Sequence, residues 1–290
     1  MRKTLVFAAG AIVLLSGSAF AQYLAIPDST SDTIGMYDPF DGTYMGVVID
    51  GDGMFSTPIN AILGPDNLIY VSDQIEDSVF RFDMAGNFVD VYADATDGLN
   101  NIRGIDFYDG KLFVTSGDDY VATFDGPHNR LGDFINDGSD PFDILFLDDG
   151  SALLSDIAGT TDNVRLYNPD GSLNAVLFDI NFPEQVQVDS SLPGAYLSIA
   201  FSGDQVTDFD LDGTISDTWF FNGGRGVYRL GNGNLLLTAG DGVWEMDPAT
   251  GNLIENKNPD ASARFIEYIV PAPSTMALFG LGALTLRRRR

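Results

Sequence analysis

The stretch Asp208-Phe209-Asp210-Leu211-Asp212-Gly213 sets three carboxylates at alternate positions ahead of a glycine. That spacing opens a calcium-binding loop, in which oxygens at the first, third and fifth positions converge on the ion and the glycine makes a sharp turn. The twelfth position, where a bidentate glutamate closes such a loop, is Trp219. A plain hairpin competes, because Phe209 to Gly213 aligns with Phe82 to Gly86. Asp208, Asp210 and Asp212 therefore stand as candidate ligands for Ca2+ or another divalent cation, with a turn as the alternative. Other chemistry is sparse. The chain has no cysteine, which excludes thiol catalysis and thiolate zinc sites, and its single histidine, His128, lies in the turn "DGPHNR". No Ser-His-Asp set suggests itself around His128, and no catalytic residue is assigned.

Charge narrows the partners. Of 15 Lys and Arg, six sit at the two ends, leaving nine basic side chains in the body against 42 Asp and Glu. Such a body repels phosphate backbones, which excludes nucleic acid. Asp outnumbers Glu 37 to 5 and there are 32 glycines. Asp and Gly favour tight turns, so the composition describes many short strands.

The elements that position any site are repeated. "PINAILGPDNLIYVSD" (58–73) aligns with "PFDILFLDDGSALLSD" (141–156), and related units start at 102, 183 and 224. The period is about 40 residues. Each unit has two apolar strands and then a hairpin whose Ala-Gly, Asp-Gly or Thr-Gly supplies positive φ. Four short strands per unit make a propeller blade. Five blades fill roughly 58–258. The front piece, 23–50, lacks a first strand, and the back piece "ARFIEYIV" (263–270) is a lone strand. The expected fold is all-β: a six-bladed β-propeller of four-stranded blades, closed by pairing the C-terminal strand with the N-terminal blade. An open β-solenoid or two sandwiches are the alternatives.

The unit resembles NHL repeats at the level of the repeat, over 23–270, and related six-bladed families include gluconolactonase-like and virginiamycin-lyase-like proteins. In a propeller of this type the first strand lines the axis from the top face. The resemblance thus implies top-face candidates at Asn60, Arg103, Asp143, Glu184, Gln185 and Arg225 from strand starts, and Asp28, Asp73 and Asp156 from second-strand ends. These residues either bind a ligand or satisfy loop backbone groups. The gluconolactonase-like relatives hold a divalent metal with a Glu, Asn and Asp set, for which Glu184, Asn60 and Asp143 have suitable chemistry. A regular Thr-rich face, which ice binding would want, is not present.

Both ends are addresses. Residues 1–21 have a basic start, an apolar stretch and Ala19-Phe20-Ala21, a signal peptide with cleavage expected between Ala21 and Gln22; a retained anchor is the alternative. The chain ends in "VPAPST", "MALFGLGALTL" and "RRRR". The eleven-residue run 276–286 spans about 16 Å as a helix, against roughly 30 Å of hydrocarbon, so it is a poor permanent span. Arg287, Arg288, Arg289 and Arg290 stay cytoplasmic by the positive-inside rule. This tail resembles PEP-CTERM sorting segments, with Pro271-Ala272-Pro273 where the family has Pro-Glu-Pro. The resemblance implies a short C-terminal sorting helix, transient inner-membrane anchoring, an exosortase-type processing enzyme after signal peptidase, and a Gram-negative cell surface. The expected division is 1–21 signal peptide, 22–270 propeller and 271–290 tail. The expected role is a non-enzymatic extracellular-matrix binding or scaffold protein for polysaccharide or protein, with a metal-dependent lactonase or a lyase as the alternative.

Overall fold

The computed structural model describes residues 22–159 and 161–271. The expected signal peptide and the sorting helix at 276–286 lie outside the described residues. Among the described residues no helix is long and apolar enough to cross a membrane.

Among the described residues, twenty-four strands form six four-stranded antiparallel sheets. Blade I holds β1 (Tyr23–Asp28), β2 (Thr33–Tyr37) and β3 (Tyr44–Asp50). Blade II is β4 (Pro58–Leu63), β5 (Ile69–Asp73), β6 (Ser78–Phe82) and β7 (Phe88–Ala93). Blade III is β8 (Ile105–Tyr108), β9 (Lys111–Ser116), β10 (Tyr120–Phe124) and β11 (Arg130–Ile135). Blade IV is β12 (Pro141–Phe146), β13 (Ala152–Asp156), β14 (Asn163–Tyr167) and β15 (Leu173–Asp179). Blade V is β16 (Pro183–Val188), β17 (Ala195–Ala200), β18 (Gln205–Asp210) and β19 (Ile215–Phe220). Blade VI is β20 (Gly226–Arg229), β21 (Leu235–Ala239), β22 (Gly242–Asp247) and β23 (Asn252–Asn256). The last strand, β24 (Glu267–Ile269), returns to β1, pairing Tyr23 with Ile269 and Ala25 with Glu267. The ring closes as the split repeat requires, and the sheet order in blade I is β24-β1-β2-β3.

The core is divided among the blade junctions. Six apolar clusters each join two neighbouring blades, for example Tyr92 with Phe124 between II and III, and Leu24 with Leu236 between I and VI. A seventh, Ile59 with Phe142 and Phe265, fills the centre. This arrangement explains the strand patterns. Strands β5, β13 and β21 are covered on both faces and are buried throughout, so they open on three consecutive apolar residues rather than alternating, with β5 and β13 ending in a buried Ser-Asp. The outermost strands, such as β3 and β23, are mostly exposed.

The hairpin between third and fourth strands locks each blade to the one before it. Gly171 has φ 80° and Gly86 has φ 81°. A Cβ on Gly171 would lie 1.9 Å from the carbonyl oxygen of Phe134 on β11, and a Cβ on Gly86 would lie 1.9 Å from that of Val48 on β3. Only glycine offers both the left-handed backbone and the close approach.

Candidate functional site

The first strands begin at one end of the channel, and three of the six do so irregularly. In β4 and β12 the ladder slips between Pro58 and Asn60 and between Pro141 and Asp143; in β16 it slips between Pro183 and Val186. A bulge takes the second residue out of strand alternation and re-aims its side chain. The second positions around the ring are Ile59, Arg103, Phe142, Glu184 and Arg225. Blade I supplies Arg264: Phe265 N–H donates to Ile59 O just as Gly104 N–H donates to Phe142 O, which fixes the register.

Four of these six side chains are charged, and they meet at the channel mouth. Glu184 is only 4% exposed. Burial pushes its carboxyl up to about 7, against the opposing pull of Arg225, Arg264 and Arg103. Its Oε2 has no hydrogen-bond partner in the protein, nor do Arg103 Nε and Arg225 Nε. The arginines are held from outside the mouth. Arg103 Nη1 donates to Asp140 Oδ1 at 2.7 Å and to Pro141 O, Arg225 Nη1 to Ser262 Oγ at 3.0 Å, and Arg264 Nε to Ser29 Oγ at 3.2 Å. Burial, then the neighbouring Arg225, lowers Arg264 to about 10, with Glu184 and Asp73 opposing. Aromatic rings floor the site: Arg103 stacks 4.8 Å over Phe142 and Arg225 lies 5.5 Å over Phe201, with Phe182 between those rings.

The third positions do different work. Asn60 Nδ2 donates to Ile105 O of blade III, Asp143 Oδ2 accepts from Val186 N–H of blade V, and Gln185 Oε1 accepts from Val227 N–H of blade VI and Ile266 N–H of blade I. Each is a staple from one blade to another's backbone. Deeper in the bore lie Asp106, which accepts from Phe146 N–H, and Glu267, which accepts from Gln185 Nε2. Burial raises Asp106 to about 7 and Glu267 to about 8, and it also holds Asp143 well above the ordinary carboxylate range. Asp73 and Asp156 anchor turns: Asp73 Oδ2 accepts from Ser56 and Thr57 N–H, and Asp156 Oδ1 from Asp140 N–H. Asp28 Oδ1 likewise accepts from Ser262 N–H, tying the front of the ring to its back.

The sequence candidates are thus sorted. Arg103, Glu184 and Arg225 come together, whereas Asn60, Asp143 and Gln185 are engaged one ring lower. Arg264, Asp106 and Glu267 were missed. Aligning "ARFIEYIV" as a sixth unit, rather than as a closing strand alone, places Arg264 beside Arg103 and Arg225. In the acidic stretch, Asp210 and Asp212 accept from Thr214 N–H within the β18–β19 turn, and Asp208 faces Arg229 at 3.9 Å. Among the described residues one set of three brings potential ligand atoms within 4.8 Å of one another: Asp94, Asp97 and His128. Asp94 and Asp97 form the capping box of a short 3-10 turn (Ala95–Asp97), and His128 Nδ1 pairs with Asp97 Oδ2 at 2.7 Å, an interaction that raises the imidazole. Gln22, the expected first mature residue, accepts from Tyr268 Oη at 2.6 Å. Of the tail, Pro271 is described, and Ala272, Pro273 and Arg287 to Arg290 lie outside the described residues.

Solved structures share the architecture. The propeller is similar to a chain of a nidogen/laminin complex at TM-score 0.72 and 15% identity, covering 86% of this chain and 99% of that one. A Bacteroides caccae protein of unknown function gives TM-score 0.63 at 15% identity, with 86% and 98% covered. A gluconolactonase from Xanthomonas campestris gives TM-score 0.59 at 17% identity, with 85% and 88% covered. At these identities the likeness is one of fold. No curated protein matches the chain. Residues 270–290 match the PEP-CTERM protein-sorting motif, and the molecule is therefore a six-bladed propeller that carries the sorting signal of an exported exosortase substrate.

Proposed function

We propose that the protein works outside the inner membrane as a non-enzymatic binding or scaffold propeller for polysaccharide or protein, and that the channel mouth is its binding surface. Signal peptidase removes 1–21, the segment 271–290 anchors the chain briefly, and exosortase-type processing delivers it to the surface or extracellular matrix of a Gram-negative cell. The observation that carries the binding reading is the convergence of Arg103, Glu184, Arg225 and Arg264 from four blades, with Glu184 Oε2, Arg103 Nε and Arg225 Nε buried and unpartnered. A rigid ring presenting a few convergent polar groups beside aromatic faces suits recognition. A metal-dependent lactonase needs several oxygens at one point; here Asp143 Oδ2 is tied to Val186 N–H and Glu184 sits among cations, while Asn60 is held through Nδ2 with its Oδ1 left unpartnered. The test is a thermal-shift screen of the processed protein against polysaccharides, proteins and divalent cations. A ligand-induced rise that disappears in Arg225→Ala is expected. Lactone turnover dependent on added metal would establish the enzymatic reading instead.

A further inference from the structure

We propose that the mouth seats a single carboxylate of an acidic sugar, a uronate-type unit, on Arg103, Arg225 and Arg264. This deepens the binding reading and rests on it. The argument begins with charge. Three of the nine basic side chains in a body with 42 acids meet at one register position. Two of the three charges have a carboxylate at hand: Asp140 pairs with Arg103 at 2.7 Å, and Asp73 acts on Arg264 while its own oxygens accept four backbone N–H groups. Glu184 is the remaining acid. The groups that act on it are Arg103, Arg225 and Arg264, and burial still keeps its proton on until about pH 7. With Glu184 neutral the mouth carries one uncompensated positive charge. A singly charged oxyanion balances it; a phosphate dianion overshoots.

Hydrogen bonding gives the same answer. Arg103 Nε and Arg225 Nε are buried donors without acceptors. A protonated Glu184 adds a donor, and a planar carboxylate accepts from all of them, since it offers about four lone-pair sites. The sugar follows from the floor. Phe142, Phe182 and Phe201 follow one another at 5.5 and 5.9 Å between ring centroids, inclined by 62° and 59°; Phe142 is buried, and Phe201 is 38% exposed. Phe201 offers an apolar contact for the C–H face of a pyranose whose carboxylate reaches the guanidinium groups. Because Glu184 must keep its proton, binding takes up a proton at alkaline pH, and affinity declines as pH rises through 7 and above.

The experiment is calorimetric titration of the processed protein with oligogalacturonate, with uncharged glucose oligomers, galacturonate monomer, acetate and inorganic phosphate in parallel. Oligogalacturonate should bind at pH 6, and about tenfold more weakly at pH 8.5. Arg225→Ala and Arg264→Ala should each cost about tenfold in affinity. Glu184→Gln, which fixes the neutral form, should bind at both pH values and abolish the pH dependence. Unchanged circular dichroism melts check that each variant is folded, and Phe201→Ala serves as a second probe on a more exposed side chain. Equal affinity for acetate and for galacturonate overturns the sugar, and equal affinity for phosphate overturns the carboxylate. Uncharged oligomers whose binding is lost in Arg225→Ala overturn this inference but leave the binding reading standing. No mouth-sensitive ligand in the wider screen as well sinks both.

Discussion

Gly171 joins a left-handed backbone, φ 80°, to a contact in which any Cβ would strike the Phe134 carbonyl. Gly171→Ala should therefore destabilise the domain by about 2–3 kcal/mol through strain and a forced shift between blades III and IV. Gly53, at φ 77° with open space around it, is the control and should lose only about 1 kcal/mol. Urea melts of the two variants give the comparison, and equal losses would remove the inter-blade contact from the explanation. The buried carboxyls make a second prediction at this scale. Glu184 and Asp106 titrate at about 7 and Glu267 at about 8 in the fold, against 3.8 to 4.5 for ordinary carboxyls. Between those limits the native state holds protons that the unfolded chain has released, so stability falls as pH rises from about 4.5 to about 8. The melting temperature should be higher at pH 5.5 than at pH 8, and Glu267→Gln should flatten the slope. A rising profile over that range would contradict the burial of these acids. Which of these residues touch was not legible in the sequence. Asn60, Asp143 and Gln185 could be placed at the channel from the repeat, but their partners belong to other blades, and that relation exists only once the ring has formed.

At the level of elements, the repeat carried most of the information. Unit starts at 58, 102, 141, 183 and 224 correspond to first strands because an apolar run, a turn and a second apolar run recur at a spacing that blade geometry demands, with proline opening three of the five. The bulges that turn Ile59, Phe142 and Glu184 towards the axis were hidden, since a bulge inserts no distinctive residue type. Strand β24 is short, yet its segment supplies Ala263 and Ile266 to the I–VI junction, Ile269 to the I–II junction and Phe265 to the central cluster. Each large buried side chain contributes about 1.5–3 kcal/mol, so deleting 263–270 removes more than about 5 kcal/mol, comparable with the net stability of a domain. The truncated chain should fail to melt cooperatively at any temperature where the intact one is folded. Indistinguishable calorimetric transitions would mean that the ring does not depend on its closing strand.

On the scale of the whole molecule, the two termini of the propeller lie side by side, with Tyr23 paired to Ile269. Pro271 lacks the N–H that a ladder needs, so the chain leaves the sheet directly after β24. The sorting motif thus begins where the fold ends. The mature protein should lack everything beyond about residue 275 and be recovered outside the inner membrane. Mass spectra containing Phe279 to Leu286 from surface material would show a permanent anchor instead. Neutral replacements of Arg287 to Arg290 should leave more chain unprocessed.

Closure by the final strand also imposes an order in time. A chain exported from its N-terminus presents β1 with one edge unpaired until Glu267 to Ile269 arrive, some 245 residues later. Pairing over such a separation is slow, and it is the last step rather than the first. Arg264 arrives with the same segment, so the charged mouth is completed at the moment the ring shuts. A chain stalled or cut short of its last strand offers an open sheet edge to proteases and to other chains, and lacks a full set of mouth arginines. The architecture therefore acts as its own inspection: the complete charged mouth exists only on molecules delivered whole.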